Sequence, residues 1–161
     1  MKPASAKEIR DELKHLGRDE LLEIVQRLSR FKKENKELLT YLLFQTQDEE
    51  KFKAEIKAEM DREFSEINRS SYYFMKKSMR KILRNVKKYS RYSGKKETET
   101  ELLIYYLQKM DNFKPSVHRN KTLKNLFDRQ LALVNKNMEK LHEDLQYDLS
   151  LELEKILKNY K

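Results

Sequence analysis

The sequence predicts an all-α protein, an irregular multi-helix bundle or a short helical array of about six to eight helices. Only two glycines and two prolines occur in 161 residues, so few tight turns can form. Leu, Lys and Glu dominate the composition and have high helix propensity. The alternating Val, Ile and Thr patterns that indicate strands are absent. We predict a single domain over residues 1–161, with short helices over 5–46 and longer helices over 48–160.

Three short helices are predicted at the start of the chain. Ser5, followed three residues later by Glu8, is a capping-box start, and Gly17 is the expected left-handed terminator of this first helix. Asp19 and Asn35 are expected to cap the second and third helices. The apolar residues expected to face inward are Ile9, Leu13, Leu16, Leu21, Ile24, Val25, Leu28, Leu38, Leu39, Leu42 and Leu43.

Two longer amphipathic helices are predicted from Asp48 onward. The pattern falters over residues 68–71, where Ser70 or Ser71 can cap a new helix, and this helix should end near Gly94. Apolar residues step by three or four in both helices: Phe52, Ile56, Met60, Phe64 and Ile67 in the first, and Tyr72, Met75, Met79, Ile82, Val86 and Tyr89 in the second.

The segment Glu97–Met110 is apolar around its whole circumference, which is typical of a buried central helix. Phe113-Lys114-Pro115 should end it, because a residue before proline disfavours the α conformation. Residues 120–160 form either one long helix or two helices broken near Tyr147. Two helices are favoured, because a single helix of about 60 Å would protrude from a compact domain.

Two stretches of this pattern resemble a known family. They are the opening run, with Leu13, Leu16, Asp19-Glu20-Leu21-Leu22, Leu28, Asn35 and Leu42, and the basic helix followed by Glu101-Leu102-Leu103-Ile104-Tyr105-Tyr106-Leu107. Over residues 8–145 the chain resembles an uncharacterised family of bacterial all-helical proteins, a domain of unknown function. The resemblance implies a helical fold and no known activity, so it assigns no functional residue.

The composition excludes several classes of protein. Without Cys, neither disulfides nor thiolate metal sites can form. The first five residues lack the apolar core of a signal peptide, and the longest apolar run, Leu102–Leu107, is too short to cross a bilayer. Glycines only at Gly17 and Gly94 exclude a Gly-rich phosphate loop. We therefore expect a soluble cytoplasmic protein that uses no cofactor.

Positive charge is concentrated in one segment. Between Glu66 and Glu97 there are eleven basic residues and no acidic one. The whole chain has 36 basic and 27 acidic residues, a formal net charge of +9; without the eleven, 25 basic residues face 27 acidic ones, a balance of −2. The entire positive excess therefore comes from this segment.

Most of these cations fall on one side of the predicted helix, opposite its apolar residues. The predicted site for an anionic partner, called the basic face below, consists of Lys76, Lys77, Arg80, Lys81, Arg84, Lys87, Lys88 and Arg91. Such helices contact nucleic-acid backbones, anionic membranes or acidic proteins. Tyr73 and Tyr92 flank it and can stack on bases. A second basic stretch that can extend the face contains Lys114, Arg119, Lys121 and Lys124.

Internal neutralisation and simple solvation are the competing explanations for the basic face. Residues 48–66 hold eight acids: Asp48, Glu49, Glu50, Glu55, Glu59, Asp61, Glu63 and Glu66. If this acidic helix packs beside the basic one, exposed ion pairs can neutralise part of the charge. The sequence leaves open whether the basic face is free or paired.

Catalytic and metal sites are not predicted. Glu12-x-x-His15 and Glu139-x-x-His142 have the spacing of di-iron ligands, but His15 should point to solvent and Glu139 lies at the margin of its apolar face. His118 has no nucleophile nearby in the pattern and is predicted to be a surface histidine. A set of aromatic residues is assigned to the core and its edge rather than to a binding site: Tyr72, Tyr73, Phe74, Tyr105 and Tyr106.

The missing motifs and the long amphipathic helices favour a non-catalytic protein-interaction or scaffold domain with an unidentified protein partner. Nucleic-acid binding through the basic helix face around residues 76–91 is the alternative. Membrane insertion is not expected, and a homodimer through the C-terminal helix is the predicted mode of self-association if the chain is not a monomer.

Overall fold

The computed structural model describes residues 1–159, and side chains through Leu157. The helix end predicted at Tyr160 lies outside the described residues. Eight α-helices, a π-helical segment at Tyr41–Gln45 and a 3₁₀ turn at Val117–Arg119 occur in this range, without a strand, which confirms the all-α prediction. The helices are α1 (Ala6–Leu13), α2 (Arg18–Phe31), α3 (Lys33–Thr40), α4 (Glu49–Ser65), α5 (Tyr72–Ser93), α6 (Lys96–Asp111), α7 (Lys121–Met138) and α8 (Glu143–Asn159).

Contacts between residues divide the chain into two compact units. The N-terminal unit is Met1–Phe44 and contains α1 to α3; the C-terminal unit is Gln45–Lys161 and contains α4 to α8. The division lies next to the predicted change from short to longer helices. The single domain over 1–161 stays a prediction.

The caps of the N-terminal unit agree with the sequence only in part. The capping box at Ser5 is confirmed. Gly17 is not a left-handed terminator: its φ is −72°, and it caps the start of α2, with its amide donating to the Glu20 carboxylate at 2.8 Å. That cap replaces the one predicted at Asp19, which lies inside the first turn of α2.

Asn35 is not a helix cap either. It lies inside α3, which begins after an extended residue, Lys32. The Asn35 side chain donates instead to the Leu28 carbonyl at 2.8 Å, near the end of α2. The side chain therefore satisfies the last turn of the preceding helix, a use of Asn that sequence spacing does not distinguish from an N-cap.

The predicted inward apolar faces of the N-terminal unit are mostly exposed. No residue of α1, α2 or α3 is fully buried. Residues predicted to face a core that are instead exposed are Ile9, Leu13, Ile24, Val25, Leu28, Leu42 and Leu43. Three short helices enclose too little volume to bury their own apolar faces, which is the general difficulty of very small units.

The C-terminal unit is built around α6. This helix contacts α4, α5, α7 and α8, which confirms its prediction as a buried central helix. The buried hydrophobic residues of α6 are Leu102, Leu103, Ile104, Tyr106, Leu107 and Met110. The Tyr106 hydroxyl satisfies its hydrogen bond by donating to the Met79 carbonyl on α5 at 2.9 Å.

The ends of these helices follow the sequence closely. The Ser71 hydroxyl accepts from the Phe74 amide and caps α5, as predicted. Gly94 ends α5 with a left-handed φ of 69°. The predicted break between the last two helices is confirmed, but it lies between α7 and α8, at residues 139–142, and Tyr147 is inside α8.

Helix α8 buries part of its apolar side against the rest of the C-terminal unit. Leu149, Leu153 and Ile156 are buried, and α8 contacts α6. The homodimer predicted through this helix stays a prediction. Within residues 1–159, none of the helices combines the length and hydrophobicity needed to cross a lipid bilayer.

Candidate anionic-ligand interface

The basic face lies on α5, and packing of the opposite side fixes its direction. Met75, Met79, Ile82 and Val86 are buried on the side of α5 that meets the core. Helices α4 and α6 both contact α5. Because one side of the helix is held in the core, the basic side chains project from the other side.

The structure brings five of the eight predicted residues together around one concavity of the C-terminal unit, whereas Lys81 and Arg91 line two other concavities. Lys77, Arg80, Lys81, Arg84 and Arg91 are exposed, while Lys76, Lys87 and Lys88 are half-buried. A concavity of about 650 Å³ is lined by Tyr73, Lys76, Lys77, Arg80, Leu83, Arg84 and Lys87. Leu83, which the charge pattern did not identify as part of the site, is buried there among longer basic side chains.

The acidic helix α4 does pack beside α5, but its carboxylates mainly meet neutral donors there. Asn85 Nδ2 donates to Glu63 at 3.1 Å, and the Tyr89 hydroxyl donates to Glu59 at 3.1 Å. Ser93 donates to Glu49. Each donor satisfies a carboxylate without using one of the basic-face cations, so the α4–α5 interface leaves most of the positive charge of α5 in place.

Other carboxylates of α4 are engaged by cations outside the basic face. Glu49 also meets Lys95 Nζ at 3.3 Å, and Glu50 meets Lys53 Nζ at 2.7 Å. Asp61 accepts from the Tyr105 hydroxyl at 2.7 Å and pairs with Lys109. The cations that neutralise these α4 carboxylates therefore lie on α4 itself, at the start of α6 and in the last turn of α6.

One member of the basic face does act on an α4 carboxylate. Burial raises the pKa of Glu63, and the neighbouring Glu59 carboxylate raises it further. The positive charge of Lys81 opposes this shift without reversing it. Lys81 is therefore the basic-face residue that faces α4.

Six members of the basic face keep their charge uncompensated. Within residues 1–159, no ion pair or hydrogen bond involves the side chains of Lys76, Lys77, Arg80, Arg84, Lys87 or Arg91. Lys88 differs, since its ammonium lies 4.7 Å from the centre of the Tyr89 ring. The question of pairing that the sequence left open is thus answered residue by residue: Lys81 faces α4, and these six cations face solvent.

The aromatic residues near the site divide differently from the prediction. Tyr106 is buried, but Tyr73 is 66% exposed and Phe74 is 43% exposed, so these two are not core residues. Their rings meet edge to face with centres 5.4 Å apart. Tyr92 is half-buried, with its ring against that of Tyr89, and Tyr73 is the aromatic residue that lines the concavity beside the cations.

The second basic stretch adjoins the start of α5 through its first residue. Arg69 lies over the Phe113 ring and donates to the Lys114 carbonyl at 3.2 Å. The Tyr72 hydroxyl donates to the Ser116 carbonyl at 3.0 Å. These bonds fasten the loop after α6 to the start of α5 and place exposed Lys114 there; Arg119, Lys121 and Lys124 continue along the 3₁₀ turn and α7.

The histidines do not form a metal site with their neighbours. Within residues 1–159, no group of three or more His, Cys, Asp or Glu side chains is placed to hold a metal ion. His118 is not the surface residue predicted: it is half-buried, with Nε2 2.8 Å from the buried Asp111 carboxylate and its ring against Phe127. The loop that Arg69 fastens folds back over the end of α6, which the sequence pattern did not reveal.

Comparisons of the chain with protein-family models, with curated proteins and with solved structures found no match. The resemblance to an uncharacterised bacterial helical family therefore stays a prediction, and the function has to be argued from the surface itself.

Proposed function

We propose that this protein is a non-catalytic binding protein and that the basic face of α5 contacts the sugar-phosphate backbone of a nucleic acid. The observation that carries the proposal is the set of six cations on one helix side that no acidic residue within residues 1–159 neutralises. Phosphate backbones are the common ligands for such an arrangement, because each contact releases a condensed counterion.

The cations of the basic face form a row along α5, called the basic row below. The length of this row suits a polymer better than a single small anion. Lys76 and Arg91 are fifteen residues apart, which on an α-helix corresponds to about 22 Å. A single phosphate or nucleotide is much shorter than this row, so only a chain of several linked phosphates can contact all of it. A polyanionic backbone therefore matches the row better than a small anion does.

A membrane surface is a poorer partner. Helices that adsorb to bilayers insert their apolar side among the lipids. The apolar side of α5 is occupied by core contacts, with Met75 and Met79 completely buried. Adsorption would have to rely on the cations and on Tyr73 and Phe74 alone.

The test is binding of fluorescently labelled DNA and RNA oligonucleotides by the intact chain over a series of salt concentrations. We expect affinity that persists near physiological salt and falls with a slope of about −4 in a plot of log affinity against log salt concentration. Five contacts, one for each of the five cations that line the concavity, produce a slope of this size. Fluorescence anisotropy measures both quantities.

A polyglutamate chain of equal charge serves as the competitor in the same experiment. Binding that disappears below physiological salt would contradict the proposal, and so would displacement of the oligonucleotide by polyglutamate at equal charge concentration. The second result would instead assign the basic face to an acidic protein.

Protein interaction is a second candidate function, favoured by the exposed apolar residues of the N-terminal unit. On α2, Ile24, Val25, Leu28 and Phe31 are all exposed and lie on one side of the helix. After Arg18 at the first position of α2, the remaining charges of its first half are acidic and those of its second half are basic: Asp19, Glu20 and Glu23, then Arg27 and Arg30. A second copy of α2 in antiparallel orientation sets halves of opposite charge against each other, so another copy of this chain is the partner proposed.

Light scattering coupled to size-exclusion chromatography tests this second candidate. We expect a species of twice 19.6 kDa that Leu28→Glu converts to monomer, because a charge would be buried in the pairing face. Leu151→Glu, at an exposed leucine of α8, is the matched control and should leave the dimer intact. A monomeric wild-type chain at high concentration would rule out the pairing.

A further inference from the structure

Tyr73, the aromatic residue that lines the concavity, lies in line with the cations. Tyr73, Arg80 and Lys87 are spaced by seven residues, and seven residues bring a helix back to within about 20° of the same direction. Tyr73 is therefore the first member of the basic row and not merely its neighbour. It also lines the same concavity as Arg80 and Lys87.

The ring of Tyr73 is placed to contact a ligand. It is 66% exposed, and it meets the Phe74 ring edge to face with ring centres 5.4 Å apart. Either face of a tyrosine ring can stack on a nucleobase. Stacking requires that the face of the base is not already covered by a neighbouring base. In a duplex the base faces are covered by their neighbours, so only the cations could be used.

We propose that the basic face takes a single strand of nucleic acid, with one unstacked base on the ring of Tyr73 and the adjoining phosphates along Lys76 to Lys87. This inference rests on the proposed function and adds the form of nucleic acid to it. Single-strand binding sites on other folds combine the same two elements, a basic groove and an aromatic stacking surface. The leucine floor of the concavity at Leu83 is compatible with the apolar face of a base or sugar.

The experiment compares a labelled single strand of non-pairing sequence with a duplex of equal length, using Tyr73→Ala and Tyr73→Phe. We expect Tyr73→Ala to lower the affinity for the single strand on the order of tenfold, with duplex binding changed less than about twofold. Tyr73→Phe should retain single-strand binding, because the stacking ring remains. The salt dependence should be unchanged in both variants, since no cation is removed.

Tyr147 provides a matched control, because it is a tyrosine on α8 with the same exposed fraction of 66%. Tyr147→Ala should change neither affinity. Equal loss of single-strand and duplex binding in Tyr73→Ala, or no loss of either, would overturn this inference while leaving the proposed function standing. Failure of the wild-type chain to bind either oligonucleotide would refute the proposed function itself, so the two failures are distinguishable.

Discussion

Replacing Lys77, Arg80, Arg84 and Lys87 together with Glu is expected to lower the affinity for nucleic acid by at least about 100-fold at 0.1 M salt or so. These side chains occupy the middle of the basic face and have no acidic partner within residues 1–159. Each substitution removes a phosphate contact and adds a repulsive charge. The slope of log affinity against log salt should fall toward zero, because each phosphate contact contributes about one unit.

The control for this variant changes the same amount of charge elsewhere. Both quadruple variants lower the formal net charge by eight, from +9 to +1. The control positions are exposed cations of α4, of α7 and of the segment between α7 and α8: Lys51, Arg62, Arg129 and Lys140. If binding depends on a specific face, the control should lose only the general attraction of net charge, a smaller and strongly screened effect.

Equal loss of affinity in the two quadruple variants would contradict the assignment of the site to α5. It would mean that the chain attracts nucleic acid through its overall charge. Far-ultraviolet circular dichroism and thermal unfolding should be similar for both variants, because the substituted side chains are exposed or half-buried and lie on helix surfaces.

The position of the basic face could be predicted from the sequence, but its state of pairing could not. Charge counting locates the cations, and helical projection shows that they share a side. The α5 partners of the α4 carboxylates could not be predicted in this way, because Asn85, Tyr89 and Ser93 are neutral and do not enter a count of charges. Only their three-dimensional placement shows that Glu63, Glu59 and Glu49 accept hydrogen bonds from neutral side chains of α5.

The N-terminal unit shows a different limit of prediction from sequence. Its amphipathic pattern predicts that one side of each helix is apolar, and exposed leucines of α2 and of the π-helical segment, Leu28, Leu42 and Leu43, are at those positions. Periodicity does not state what covers an apolar face, whether it is the same chain or another. Asn35 shows the same limit for a single side chain, since its spacing fits a cap while its amide reaches back to Leu28.

The central helix was the element best determined by the sequence, because apolar residues all around a helix leave no side for solvent. Leu103 of α6 is completely buried, and we expect Leu103→Ala to lower the free energy of unfolding by about 3 kcal/mol, within the 2–5 kcal/mol or so typical of such truncations. The cost combines lost apolar burial with the cavity left among four surrounding helices. Urea unfolding of the intact chain followed by circular dichroism measures it.

Leu151→Ala on α8 is the matched control, since the same atoms are removed from a leucine that is 44% exposed. Solvent can fill the space that the removed atoms leave, so no empty cavity persists. The free energy of unfolding should therefore change by about 0.5 kcal/mol or less. The difference between the two leucines measures what enclosure by α4, α5, α7 and α8 contributes. Similar losses in both variants would mean that α6 is not the helix on which the C-terminal unit is built.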